Sequence, residues 1–98
     1  MTNELVTGYE ELSEVLLRAY HQASQGKGKE RHAKGLPFVD QPMQTISDLL
    51  DTEKGMMYQA IKKTQEAARL PQPQAVAELL GAINYLAGAV IFLEKQDA

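Results

Sequence analysis

Residues 79–93 read LLGAINYLAGAVIFL, fifteen positions in which Asn84 is the only strongly polar side chain. At about 1.5 Å per residue, a helix over them is roughly 22 Å long, short of the ~30 Å hydrocarbon layer that a spanning helix must cross. Glu78 and Glu94 close the stretch at both ends, so it reads as a core helix and not as a membrane span. Val76, Leu79, Leu80, Ile83, Leu86, Ala87, Val90 and Leu93 recur at helical spacing and define one broad apolar face. The opposite face, Gly81, Ala82, Tyr85, Gly88, Ala89 and Phe92, is apolar as well. A helix that is apolar all round is expected to be covered all round. The fold class follows: an all-α bundle of three to four helices with a near fully buried C-terminal helix.

Gly81 and Gly88 stand one heptad apart with Ala82 and Ala89 beside them, although each glycine inside a helix costs about 0.5–1 kcal/mol relative to alanine. The missing side chains let another backbone come close. Ninety-eight residues form one domain with a limited core and few elements to surround a helix. The face made by Gly81, Ala82, Tyr85, Gly88, Ala89 and Phe92 is therefore expected to form the interface of a homo-oligomer. Otherwise the chain's own helices cover it.

The apolar fraction of 44% and charged fraction of 23% are those of an ordinary globular protein. With no cysteine, disulfides, thiolate nucleophiles and zinc–thiolate sites are excluded. The opening residues, MTNELVTGYEELSE, are acidic and contain no apolar run, so no secretory signal is expected and the location is read as cytoplasmic. The net charge of −3 is distributed in blocks: residues 1–23 carry −3, 24–35 carry +3, 36–53 carry −4, 54–69 carry +3 and 70–98 carry −2. Alternating blocks argue against one uniformly basic nucleic-acid face and leave room for local anion sites or charge pairing between segments.

Leu5, Tyr9, Leu12, Leu16, Ala19 and Ala23 recur at spacings of four and three, which predicts an amphipathic helix over about 8–24. Thr7 and Glu10 have the spacing of a capping box at its start. Residues 25–37 carry Gly26, Gly28, Gly35 and Pro37 and concentrate five basic or imidazole side chains against Glu30. It is the longest irregular stretch in the chain, and long loops in small domains are often functional. Asp40 or Gln41 followed by Pro42 opens a second helical region over 42–69, either kinked or broken at 52–55 near Gly55. The Leu70-Pro71-Gln72-Pro73 sequence ends it, and the apolar helix occupies about 74–95.

The basic loop is the first candidate site. Lys27, Lys29, Arg31, His32 and Lys34, joined by Lys62 and Lys63, can hold an anion such as a nucleotide or nucleic-acid phosphate, or an acidic protein partner. The loop lacks the GxxxxGK[ST] pattern of a P-loop. Tyr20 and Phe38 flank it and are placed either to stack on a base or to anchor the loop. No nucleophile motif surrounds Ser13, Ser24 or Ser47, and neither His21 nor His32 has metal-ligand spacing. Glu11 with Glu14, and Asp48 with Asp51, are carboxylate pairs three residues apart. Two such helices can hold Mg²⁺ against a polyphosphate.

These carboxylate pairs are similar in outline to those of the MazG-related all-α nucleotide pyrophosphohydrolases, in which ExxE is followed by ExxD on a neighbouring helix. Here the second pair begins with Asp48, the separation is longer, and a basic glycine loop intervenes. A second resemblance rests on GKGKERHAKGLPF (26–38), QP (41–42), YQAIKK (58–63) and ELLGAINYLAGAV (78–90), which look like short phage and prophage proteins of unassigned function. That resemblance implies an accessory, anti-defence role that binds a host protein or a nucleotide messenger. The combined expectation is a non-enzymatic, homo-oligomeric binding protein without cofactor. The alternatives are a Mg²⁺-dependent pyrophosphohydrolase-like enzyme and a purely structural subunit.

Overall fold

The computed structural model describes residues 6–25 and 35–96, and among them every regular element is helical. Four α-helices run in order: α1 (Glu10–Gln25), α2 (Pro42–Leu50), α3 (Lys54–Ala67) and α4 (Gln72–Gln96), with a short 3-10 turn at Phe38–Asp40 before α2.

Local chemistry sets the helix ends. Gly8 has φ +94° and its N–H donates to the Glu10 carboxylate at 2.9 Å, so α1 begins at Glu10, two residues later than expected. The 42–69 region is two helices, and the break lies at Asp51 and not at Gly55. Asp51 adopts the left-handed conformation (φ 56°, ψ 43°), and its N–H bonds back to the carbonyls of Ser47 and Asp48. Asp tolerates this region better than most side-chain-bearing residues. The Thr52 hydroxyl then accepts from the Lys54 N–H at 3.2 Å and starts α3, leaving Gly55 inside a helix. Pro71 ends the turn after α3, while Pro73 sits in the first turn of α4, where a missing N–H is harmless.

Pairs of contacts fix the packing directions. Met56 lies against Gly88 and Lys63 against Gly81 and Glu78, so α3 and α4 are antiparallel. Gln22 donates to the Ala77 carbonyl and Asn84 to the Ala19 carbonyl, both at 3.0 Å, so α1 is antiparallel to α4. Gln44 meets Gly88 and Asp48 meets Lys95, so α2 runs along α4 in the same sense. The centre is Met56, Ala89 and Phe92, with Met43 and Tyr85 packed around it.

Of the two alternatives for the glycine face of α4, the one seen is coverage by the chain's own helices, and the expected near fully buried C-terminal helix is instead open along its leucines. Ala82, Gly88, Ala89 and Phe92 are buried against the chain's own helices, and Gly81 and Tyr85 are half-buried. A Cβ on Gly88 would lie 2.7 Å from the Met43 sulfur and 2.8 Å from that of Met56, and one on Gly81 would lie 3.1 Å from Lys63 Cδ. The glycines thus admit α2 and α3 of the same chain, and their face is not free to join a second subunit. The leucine face is the open one: Leu79, Leu86, Val90 and Leu93 are 45%, 50%, 54% and 48% exposed. Small residues allow two backbones to approach, and here they have drawn in the chain's own helices, leaving the larger side chains outside. By length and composition alone α4 is also able to cross a membrane.

Candidate functional site

Gln22 and Asn84 bond α1 to α4, and residues 35–38 and Gln41 line a groove with the two helices. Leu16, Ala19, Tyr20 and Ala23 repeat on one face of α1 and line one wall. Ile83, Asn84 and Ala87 of α4 form the other, and Leu36, Pro37 and Phe38 close the end. The result is a largely apolar groove of about 790 Å³, within the 300–1,000 Å³ usual for small-molecule sites. Its polar groups are few. The Asn84 amide is held at the floor by the Ala19 carbonyl and by Gln22 Oε1 at 3.5 Å. Buried Gln41 donates to the Leu36 carbonyl at 3.1 Å. Ser24 donates to the Tyr20 carbonyl at 2.8 Å, and the rings of Tyr20 and His21 meet edge to face at 5.5 Å.

Ser24 and Gly35, the groove residues nearest the basic loop, lie just either side of residues 26–34. Lys27, Lys29, Arg31, His32 and Lys34 lie outside the described residues. Lys62 is exposed on α3, and Lys63 is paired with Glu78 at 3.4 Å with its stem over Gly81. Neither lysine lines the groove.

The carboxylates do not assemble. Glu11 and Glu14 are exposed on α1, Asp48 pairs with Lys95 at 3.5 Å, and Asp51 forms the left-handed end of α2. Among the described residues no group of three or more His, Asp or Glu side chains is placed to hold a metal ion.

A second, smaller cavity of about 280 Å³ lies between α2, α3 and α4, lined by Met43, Ile46, Ser47, Met56, Gln59 and Tyr85 among others. Burial there raises the Tyr85 hydroxyl above its ordinary pKa. Beside it Gln44 is fully buried; its amide N–H donates to the Gly88 carbonyl at 2.8 Å while Oε1 has no hydrogen-bond partner among the described residues. The sequence reading missed Leu36, Gln41 and Gln44. Gln44 lies one residue from Met43 on the inner side of α2, and a side-chain amide buried there needs a hydrogen-bond partner, which the Gly88 carbonyl supplies.

Comparison with family models, with curated proteins and with solved structures returns no match.

Proposed function

We propose that this protein is a non-enzymatic binder of an anionic ligand of the nucleotide class, held between the α1/α4 groove and the basic segment 26–34. One observation carries this reading: the groove lies between the two attachment points of the chain's most basic segment, and Tyr20 and Phe38 line it. The chemistry divides naturally. A base stacks on an aromatic ring, worth about 1–3 kcal/mol, and the phosphate takes charge-assisted hydrogen bonds from lysine and arginine. Sequestering a nucleotide messenger inside the cell is also how a small phage-like accessory protein would blunt a defence pathway.

Calorimetric titration against nucleoside mono-, di- and triphosphates and cyclic nucleotides tests the reading. Tyr20→Ala with Phe38→Ala should weaken binding at least tenfold without changing its salt dependence. Replacing Lys27, Lys29, Arg31 and Lys34 by Gln should weaken it and flatten the salt dependence. Absence of nucleotide binding, or affinity indifferent to both sets, overturns it.

A second reading, an interaction subunit, draws on a different observation. Among the described residues, the buried apolar ones are Met56, Phe92 and five alanines, whereas nineteen large apolar side chains are exposed. Contiguous exposed apolar surface marks interaction sites, and self-association is compatible with ligand binding.

A further inference from the structure

Along one side of α4, Val76, Leu79, Ile83, Leu86, Val90 and Leu93 recur at spacings of 3, 4, 3, 4 and 3, the three leucines and Val90 exposed and Val76 and Ile83 half-buried. This is an uninterrupted heptad series. Written as a heptad, the a positions are Val76, Ile83 and Val90, all β-branched, and the d positions are Leu79, Leu86 and Leu93, all leucine. The remaining positions fit the same frame. Gly81 and Gly88 fall at f, Tyr85 and Phe92 at c, and these face the chain's own α2 and α3. One helix thus carries two apolar seams on opposite sides, one used within the chain and one open at its leucines and Val90.

We propose that the open seam is occupied by a second copy of this chain, with two α4 helices paired in parallel. Within parallel coiled coils, β-branched residues at a with leucine at d favour two strands over three or four, and the 3.5-residue period suits a left-handed pairing at a shallow crossing angle. On the g flank Ala82 and Ala89 are already buried within the chain, whereas on the e flank Ala87 and Glu94 are exposed. Positions g are Ala75, Ala82 and Ala89, and positions e are Leu80, Ala87 and Glu94, so one charge per helix lies near the seam, at its C-terminal end. A lipid surface fits less well. The side of α4 away from the seam is held by the Lys63–Glu78 ion pair and by hydrogen bonds donated by the side-chain amides of Gln22, Gln44 and Asn84, and a spanning helix would lose these contacts. Pairing also sets the second copy at the α4 edge of the ligand groove, because Ile83 belongs to both.

The chain has no cysteine, so single Gln74→Cys and Glu94→Cys variants can each take one spin label at an exposed position outside the a and d series. A parallel pair gives short same-site distances at both positions. An antiparallel pair centred on the seam sets like positions about 30 Å apart along the axis, twenty residues at ~1.5 Å, and would overturn the proposal. In sedimentation, wild-type protein should associate in multiples of two, and Leu86→Asp with Leu93→Asp should raise the dimer dissociation constant at least about a hundredfold with the helical circular dichroism retained. An unchanged dissociation constant, a wild-type monomer at all concentrations, or flotation of monomer with anionic lipid vesicles would overturn it. If the double variant unfolds, the spin-label distances on the intact seam decide. Neither leucine lines the groove, so failure here leaves the nucleotide titration standing, and failure there leaves the seam standing.

Discussion

Gly88 shows how one missing side chain organises the interior. A methyl group there would stand within 2.8 Å of two methionine sulfurs, and Met56 is 2% exposed with little room to retreat. Gly88→Ala should therefore destabilise the fold by about 1–3 kcal/mol through overpacking, against a helix-propensity gain of only about 1 kcal/mol. Gly81→Ala should be near neutral or slightly stabilising, because the atoms it meets belong to the flexible stem of Lys63. Denaturant unfolding of both variants checks the contrast. A second residue-scale effect concerns Tyr85, whose hydroxyl is held neutral by burial. With the folded pKa raised above the unfolded value of about 10, stability is fully present below pH 10 and is lost as pH rises through the folded value. Unfolding followed from pH 8 to 11 should show that loss in the native protein and a shallower one in Tyr85→Phe. The spacing of the glycines was plain in the sequence, but their partners were not, since a small residue announces a close approach without saying which helix makes it.

Helix positions were legible from periodicity and prolines, and their boundaries shifted where a backbone conformation intervened. The break between α2 and α3 is the clearest case. A glycine is the usual suspect, yet Gly55 is helical and Asp51 takes the left-handed turn, a choice open to Asp because its short polar side chain tolerates that region. Asp51→Gly should hold or raise stability by up to about 1 kcal/mol, whereas Asp51→Val should lower it by at least about 1 kcal/mol while leaving the helical content of the rest unchanged. Thermal unfolding of the pair checks this, and two equally destabilised variants would count against the left-handed assignment. On α4 the sequence defined two apolar faces but not which one the chain would use for itself. Both are rich in apolar residues, so hydrophobic periodicity is equal on either side. Volume decided the matter: the glycine and alanine side lets α2 and α3 approach, and the leucine side does not.

For the whole molecule, the consequence is a chain whose large apolar residues lie mostly outside its own core. Fully burying such a side chain is worth about 1.5–3 kcal/mol, and the half-exposed leucines of α4 leave much of that unrealised in a single copy. Stability should then depend on protein concentration, because association removes surface that folding alone leaves wet. Midpoint temperatures measured over a hundredfold range of concentration should rise steadily for the native chain and stay level for Leu86→Asp with Leu93→Asp. Ligand adds an independent increment. A nucleotide at a hundred times its dissociation constant stabilises by about 2.7 kcal/mol, and for a domain near 100 residues each kcal/mol moves the midpoint by about 4–8 °C. A shift of about 10–20 °C is therefore expected on saturation. If ligand and concentration effects simply add, the groove and the seam act separately. If ligand steepens the concentration dependence, Ile83, which belongs to both, couples them, and Ile83→Ala should restore additivity.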